Sequence, residues 1–362
     1  FLFFWFCVCR TMKHYCIECF AAPPEFFNLP GEARWKYVKE HMIIESDGPF
    51  ETNRFAKKAE ITWYQQWSVM LFFATMVGGP LGLFLVWALV LALGSWTSVG
   101  ILAAATAFLS LHPLPDQRHF QFFSLWMYKY YSYRFMWTGD MLDQAVAAAK
   151  KQGWVGAGVP HGVIPIANFL SMPAINEFLN VDFVGAPASV VFHTPFLRYL
   201  TIYGAVDVSA KSLKKATLKG TCVGLVGDGI AGIFSEGEVV ALKNRKGLAR
   251  FALKNGVTLI PAYSMGNTAI MTALYDSAGI MESLSRKLRM SFFIPVGRWG
   301  TVLPRRANVS MLLGPLVAPE QKEDPSQEEI DAVHQQLLDG IEGCFNTHRG
   351  AHGWPDRQFS FA

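Results

Sequence analysis

The run from Trp67 to Pro115 contains no Asp, Glu, Lys or Arg. Ionised side chains are costly inside a bilayer, so a stretch this long without one restricts what it can become. Trp67 to Leu93 is long enough to cross a hydrocarbon layer of about 30 Å. Gly94-Ser95 and Ser98 to Gly100 form a polar, flexible break. Counted from Ser95, the second apolar segment through Leu111 just reaches spanning length. Arg54, Lys57 and Lys58 precede the run, and Arg118, Lys129 and Arg134 follow it. Basic flanks favour the cytosolic side. The expectation is therefore a membrane hairpin over 67–115 with both ends cytosolic. A single tilted span broken at Gly78-Gly79-Pro80, and a re-entrant pair, are the alternatives.

Composition agrees with partial membrane embedding. Charged residues make up 17% of the 362-residue chain and apolar residues 51%, against roughly 25% charged in ordinary soluble domains. A net charge of +4 argues against a dedicated nucleic-acid binder and suits an anionic membrane surface. Six cysteines over this length do not make a disulfide framework. Cys16-Ile17-Glu18-Cys19 has a metal or redox spacing, but no second pair follows, so unligated thiols and no metal site are expected. Phe1 to Cys9 is apolar and too short to span.

Residues 1–66 read as a poorly defined polar leader, without a strong period. Residues 116–137 are crowded with aromatics, among them Phe120, Trp126, Tyr128, Tyr130, Tyr131, Tyr133 and Trp137, interleaved with Lys129 and Arg134. That mixture predicts an interfacial segment at headgroup level. Residues 138–350 alternate between helical and strand patterns, which gives an α/β layer domain. Helices are expected over Asp140–Gln152, from Val163, over Arg245–Asn255 with Gly256 as C-cap, and from near Asp324, with Pro325 in the first turn. Strands are expected at 154–159, 189–192, 205–208, 221–226, 257–262, 291–296 and 309–313. Residues 351–362 form a tail.

The chemistry concentrates at Val159-Pro160-His161-Gly162, where a probable strand ends and the chain turns. Pro160 fixes φ, Gly162 allows close approach to the backbone, and His161 has the side chain best suited to accept a proton near neutrality. A second cluster, Gly227-Asp228-Gly229-Ile230-Ala231-Gly232, fits a dinucleotide spacing only weakly, because Ile233-Phe234 leads at once into the polar stretch Ser235-Glu236-Gly237-Glu238. Basic residues gather at a third place, Lys243-Asn244-Arg245-Lys246-Gly247, at the expected N-terminus of a helix. Free backbone N–H groups there can hold a phosphate; a solvated basic face is the alternative.

These blocks together resemble the type-2 diacylglycerol acyltransferase family, which includes monoacylglycerol acyltransferases and wax synthases. Lys243 to Tyr263 is similar to its Arg-x-Gly-Phe…Leu-Val-Pro signature. Val159-Pro160-His161-Gly162 resembles its His-Pro-His-Gly block, with Val159 replacing the first histidine. Phe192 to Arg198 resembles a Tyr-Thr-Pro-Phe-Leu-Arg run, and Gly314 to Pro319 the C-terminal block. The similarity covers roughly residues 67–350. One departure concerns the Pro-Gly-Gly-x-x-Glu segment, which places Gly232 where a glutamate is usual. Phe234-Ser235-Glu236-Gly237 is similar to the Phe-Pro-Glu-Gly block of lysophosphatidate acyltransferases, so Glu236 is a candidate replacement.

The resemblance implies a glycerolipid-acyltransferase-like layered α/β domain behind a transmembrane or re-entrant hairpin. It implies transfer of a fatty acyl group from acyl-CoA, a substrate and not a cofactor, to diacylglycerol at a bilayer, on the cytosolic face of the endoplasmic reticulum. His161 would be the base, with Glu236 orienting it or binding the acceptor. Pro160 and Gly162 would supply the motif backbone for an oxyanion. Asn244, Arg245, Lys246 and Gly247 would meet the CoA phosphates. Monoacylglycerol, a fatty alcohol or lysophosphatidate as acceptor, a non-catalytic lipid-binding role, and homo-oligomerisation remain open.

Overall fold

The computed structural model describes residues 12–114, 121–235, 237–274, 276, 279–288 and 293–362. In chain order the elements are β1 (His14–Glu18), α1 (Gly31–His41), β2 (Ile43–Ser46), α2 (Trp63–Leu93), α3 (Trp96–Leu111), α4 (Gln121–Tyr131), β3 (Arg134–Thr138) and α5 (Met141–Ala149). There follow β4 (Val155–Val159), α6 (Ile166–Leu179), β5 (Phe183–Gly185), α7 (Ala210–Leu218), β6 (Cys222–Leu225), α8 (Gly229–Phe234), β7 (Glu238–Val240) and α9 (Gly247–Asn255). The chain ends with β8 (Leu259–Met265), α10 (Asn267–Ile270), β9 (Thr272–Ala273), α11 (Ile280–Leu288), β10 (Pro295–Val296), β11 (Ser310–Leu313), α12 (Gln327–His352) and β12 (Phe359–Phe361).

The principal sheet runs β2-β1-β3-β11-β8-β4-β6-β5. Strands β8, β4, β6 and β5 are mutually parallel, while β11 runs antiparallel to β8. Successive residues bury opposite faces, as a pleat requires. Ile17, Phe135, Met311 and Ala262 join the core beneath α2, α4 and α6. Cys16, Met136, Leu312 and Tyr263 join the core beneath α9 and α12. This is the expected layered α/β architecture, with helices on both faces of one large sheet.

Residues 12–66, expected as a polar leader, contribute two strands to this sheet. Strand β1 lies between β2 and β3, and Glu18 pairs in register with Arg134, whose Nε lies 2.9 Å from Glu18 Oε1. A strand buried on both faces loses the polar–apolar alternation that would reveal it, and Cys16 and Ile17 are both fully buried. At the other end, β12 pairs in parallel with β7, so the expected tail also enters the fold.

The aromatic segment corrects its expectation most strongly. Tyr128, Tyr130, Tyr131, Tyr133 and Phe135 are buried, not interfacial; Phe120 lies outside the described residues. Buried tyrosine is tolerated where its hydroxyl finds a partner. Tyr128 donates to Glu177 at 3.0 Å, Tyr130 to the Pro304 carbonyl at 2.7 Å and Tyr133 to the Ala167 carbonyl at 3.2 Å. Composition alone does not separate such a core from an interfacial belt.

Helix α2 is continuous through Gly78-Gly79-Pro80 and is the one described helix long and apolar enough to cross a membrane. Its first half is not free: Val69, Met70, Phe73 and Met76 are buried against the sheet domain. Its second half exposes Phe84, Leu85, Leu89 and Leu93. Helix α3 has 16 residues, about 24 Å at 1.5 Å per residue, and is tied back to α2 by a 3.0 Å hydrogen bond from Trp87 Nε1 to Thr106 Oγ1.

Smaller departures have local causes. Residues 189–192 form a 3-10 turn, and 205–208 make only an isolated bridge from Ala205 to Gly185. Pro187 and Pro195 bracket the first of these and cannot donate into a ladder. Of the strand expected over 291–296, 291 and 292 lie outside the described residues, Phe293 and Ile294 are not in a strand, and Pro295–Val296 is. Helix α12 begins after Ser326, which forms a capping box with Glu329, so Pro325 precedes the helix. Gly256 closes α9 in the left-handed conformation, as expected.

Candidate active site

Parallel strands β4, β6 and β8 end on the same edge of the sheet, where ligands of open α/β sheets are commonly bound. Each is followed within three residues by a polar side chain: His161 after β4, Asp228 after β6 and Asn267 after β8. The sheet order β8-β4-β6 makes these three loops neighbours.

His161 follows the cis Val159–Pro160 peptide and is half-buried. Its Nδ1 lies 2.6 Å from the carbonyl oxygen of Gly162. A carbonyl only accepts, so Nδ1 carries the proton and Nε2 keeps the lone pair. Burial holds the imidazole below its ordinary pKa, while the Asp228 charge and the Gly162 carbonyl pull it upward. The ring is thereby neutral at pH 7, the state a base requires.

The loop is fixed from both sides. On one side the main-chain N–H of His161 donates to Asp228 Oδ2 at 3.0 Å. Asp228 is fully buried. Burial raises its pKa, and the His161 charge, the bond from the His161 N–H and Arg245 lower it. On the other side Asn267 Nδ2 donates to the Pro160 carbonyl at 2.9 Å, and Asn267 Oδ1 accepts from the Ala167 N–H at 2.8 Å. Asn168 extends this brace: its Nδ2 donates to the Gly158 carbonyl at 3.2 Å, and its Oδ1 accepts from Ser264 at 2.9 Å. Gly162 has φ +60°, and a Cβ there would lie 2.9 Å from the Asn267 carbonyl oxygen. Only glycine fits this conformation and this approach.

A cavity of about 310 Å³ opens beside the loop. Val163, Ile233, Phe234, Met271 and Leu274 give it apolar walls, and Gly162 and Thr268 place polar backbone and hydroxyl at its edge. Under it lies a buried carboxylate, Glu238, which accepts from Tyr263 at 2.5 Å, Thr268 at 2.6 Å and Arg357 at 2.8 Å.

The structure brings together some of the sequence candidates and separates others. Pro160, His161 and Gly162 form one turn. Arg245 reaches the neighbouring Asp228-Gly229 loop, with Nη1 3.5 Å from a Cβ built on Gly229. Lys246 turns the other way and pairs with Asp331 on α12 at 2.6 Å. Asn244 and Lys246 line a separate cavity of about 480 Å³ with His334, and Gly247 opens α9. Glu236 lies outside the described residues. A short helix, α8, begins within the glycine cluster, and as expected Ile233-Phe234 then leads directly into Ser235, which is extended.

Asp228, Asn168, Asn267 and Glu238 were not picked out from sequence. An acid inside a glycine cluster just after a strand, and an Asn just after the Gly266 that ends β8, are the signals that mark two of them. Cys16 and Cys19 are free and buried, with thiols held in the protonated form chiefly by burial.

Comparison with known proteins places this arrangement in a family. The chain is 26% identical over 265 residues to the diacylglycerol O-acyltransferase 2-like protein 6 of Bos taurus, covering 65% of this chain and 76% of that protein. It is 27% identical over 234 residues to the 2-acylglycerol O-acyltransferase 1 of Mus musculus, covering 55% of this chain and 66% of that protein. Among solved structures, the 1-acyl-sn-glycerophosphate acyltransferase PlsC of Thermotoga maritima aligns with a TM-score of 0.33 and 16% identity, over 56% of this chain and 78% of that one. The diacylglycerol acyltransferase family model matches residues 96–361, from the start of α3 through β12. The chain is a member of the diacylglycerol acyltransferase family.

Proposed function

We propose that this acyltransferase moves a fatty acyl group from acyl-CoA to the free hydroxyl of diacylglycerol, forming triacylglycerol, with His161 as general base. The observation that carries the proposal is a neutral histidine with Nε2 available, held on the carboxyl edge of the parallel strands beside a cavity with both apolar and polar walls. The acceptor oxygen attacks the thioester carbonyl as its proton passes to Nε2. The C–S bond then breaks, the ester forms, and the proton leaves with the thiolate as free CoA. A positioned base contributes about 10²–10⁴-fold to such a step. The Gly162 N–H and its neighbours are the oxyanion donors of this proposal. Arg245, beside the Asp228 loop, receives the CoA phosphates in this proposal, whereas Lys246, paired with Asp331, and Asn244 face the separate cavity.

Diacylglycerol is one of several acceptors the same chemistry serves. The mouse 2-acylglycerol relative is as similar as the diacylglycerol-named one, so similarity does not choose between them. A lipid acceptor is supported by the exposed apolar half of α2, which in this proposal enters the endoplasmic reticulum membrane with α3 and leaves the sheet domain cytosolic. Membranes containing the chain, given labelled acyl-CoA and separate diacylglycerol, monoacylglycerol, fatty alcohol and lysophosphatidate acceptors, test this. Labelled triacylglycerol as the main product supports it. A different main product keeps the mechanism and changes the acceptor, and acyl-CoA binding without any product means a non-catalytic lipid-binding role.

A further inference from the structure

We propose that Asp228 is the positioning carboxylate of His161, and that residue 232 is glycine because the Asp228 carboxylate fills the space a side chain there would need. The proposal rests on His161 being the base, and it goes further by assigning a role to a residue that neither the motif resemblance nor the family match singles out.

Three observations converge. Asp228 is fully buried and its Oδ2 accepts the His161 main-chain N–H at 3.0 Å. Its Oδ1 has no hydrogen-bond partner among the described residues. A Cβ built on Gly232 would stand 2.1 Å from Asp228 Oδ2, 2.5 Å from its Cγ and 2.9 Å from His161 Cβ. Asp228 sits at the N-cap of α8 and Gly232 one turn later, so both positions face His161 along the same side of the helix. Room exists there for one carboxylate, from one of the two positions. In this chain it comes from 228, and glycine stands at 232, where the resembled motif carries glutamate.

The arrangement assists the base in two ways. The bond to the main chain fixes where the imidazole sits. When Nε2 takes the acceptor's proton, the new imidazolium forms beside a buried anion that stabilises it. The other charged or titratable groups around this pair are Arg245, reaching toward Gly229, and Tyr263 with Glu238 and Arg357 behind it. None of these contacts the His161 main chain among the hydrogen bonds of the described residues, so the carboxylate that answers directly to His161 is Asp228.

Asp228→Asn tests the charge alone, because the amide oxygen still accepts the His161 N–H. The full chain in membranes is assayed for acyl transfer across pH, beside His161→Ala, with thermal melting as the check on folding. The expected result is a kcat lower by about 10²-fold, an unchanged KM for acyl-CoA, and an acidic limb displaced to lower pH, since an anion beside an imidazolium raises its pKa. Asp228→Gly should also lose activity, and Asp228→Gly with Gly232→Glu should regain at least about tenfold over it by returning a carboxylate from one turn along. Asp228→Asn with the parent kcat and pH limb overturns the proposal. So does a double variant that melts like the parent yet is no better than Asp228→Gly; if it melts early, the Asp228→Asn profile decides. Turnover by His161→Ala removes the base assignment itself, whereas an inactive His161→Ala beside a fully active Asp228→Asn removes only the role of Asp228.

Discussion

The side-chain amide of Asn267 donates to the carbonyl of Pro160 at 2.9 Å, tying the end of β8 to the residue before His161. The same side chain accepts from the first turn of α6 through the Ala167 N–H. One buried amide therefore sets the spacing of three elements around the candidate base.

Asn267→Asp should damage this brace more than its size change suggests. A carboxylate places an acceptor against the Pro160 carbonyl and leaves that carbonyl without its donor. Leaving a buried polar group unpaired costs about 1–3 kcal/mol. Thermal unfolding should show that loss, and acyl transfer should fall further than stability does, because the displaced loop carries His161. Parent-like melting and turnover would show that the brace does not hold the loop.

Stability should pass through a maximum near pH 6.5. His348 and His352 are buried residues of α12, with pKa values pushed down to about 3, chiefly by burial. Their folded pKa lies below the unfolded value, so the unfolded chain binds more protons as pH falls below 6.5, and stability declines. Glu177 acts in the opposite sense: burial raises it to about 8, against the hydrogen bond from Tyr128 and the Arg34 charge. Its contribution is complete below the unfolded carboxylate pKa and is lost as pH rises through 8. Between pH 4.5 and 6.5 the two histidines outweigh the one carboxylate, and above 6.5 the carboxylate acts alone. Melting temperature against pH checks this, and Glu177→Gln should flatten the alkaline side and steepen the decline between pH 6.5 and 4.5.

The two halves of α2 should respond differently to truncation. Phe73 is fully buried, edge-on to Tyr131 and Phe169. Phe73→Ala should cost about 3–5 kcal/mol. Leu89 is exposed on the sheet-distal half, and Leu89→Ala should leave the unfolding of the sheet domain unchanged. Equal effects in a denaturant titration would mean that α2 does not divide its contacts as described.

Arg245 and Lys246 are neighbours in sequence with different destinations. Lys246→Ala breaks a partly exposed pair with Asp331 and should leave the melting temperature and the KM for acyl-CoA nearly unchanged. Arg245→Ala should instead raise the KM for acyl-CoA, because its guanidinium lies against the Asp228-Gly229 loop. Matching kinetics in the two variants would contradict that division.

How much of this was legible from sequence follows the range of the signal. The place of His161 just past the end of β4 was legible because a strand, a turn and the histidine are contiguous. Helix α9 with its Gly256 cap and the apolar run of α2 were legible for the same reason. Asp228 was not, because its meaning depends on β6 lying beside β4, and sheet order is not a local property. Strand β1 was hidden by burial on both faces. Tyr128, Tyr130 and Tyr133 were misplaced because their hydroxyl partners, Glu177, Pro304 and Ala167, are distant in the chain.

The measurement that bears most directly on the central claim is acyl transfer by His161→Ala in membranes, with labelled acyl-CoA and diacylglycerol, at matched protein level. The expected result is loss of turnover by at least about 10²-fold, with the KM for acyl-CoA and the melting temperature unchanged. Turnover at the parent rate would contradict it and would move the search for the base to another residue on the same sheet edge.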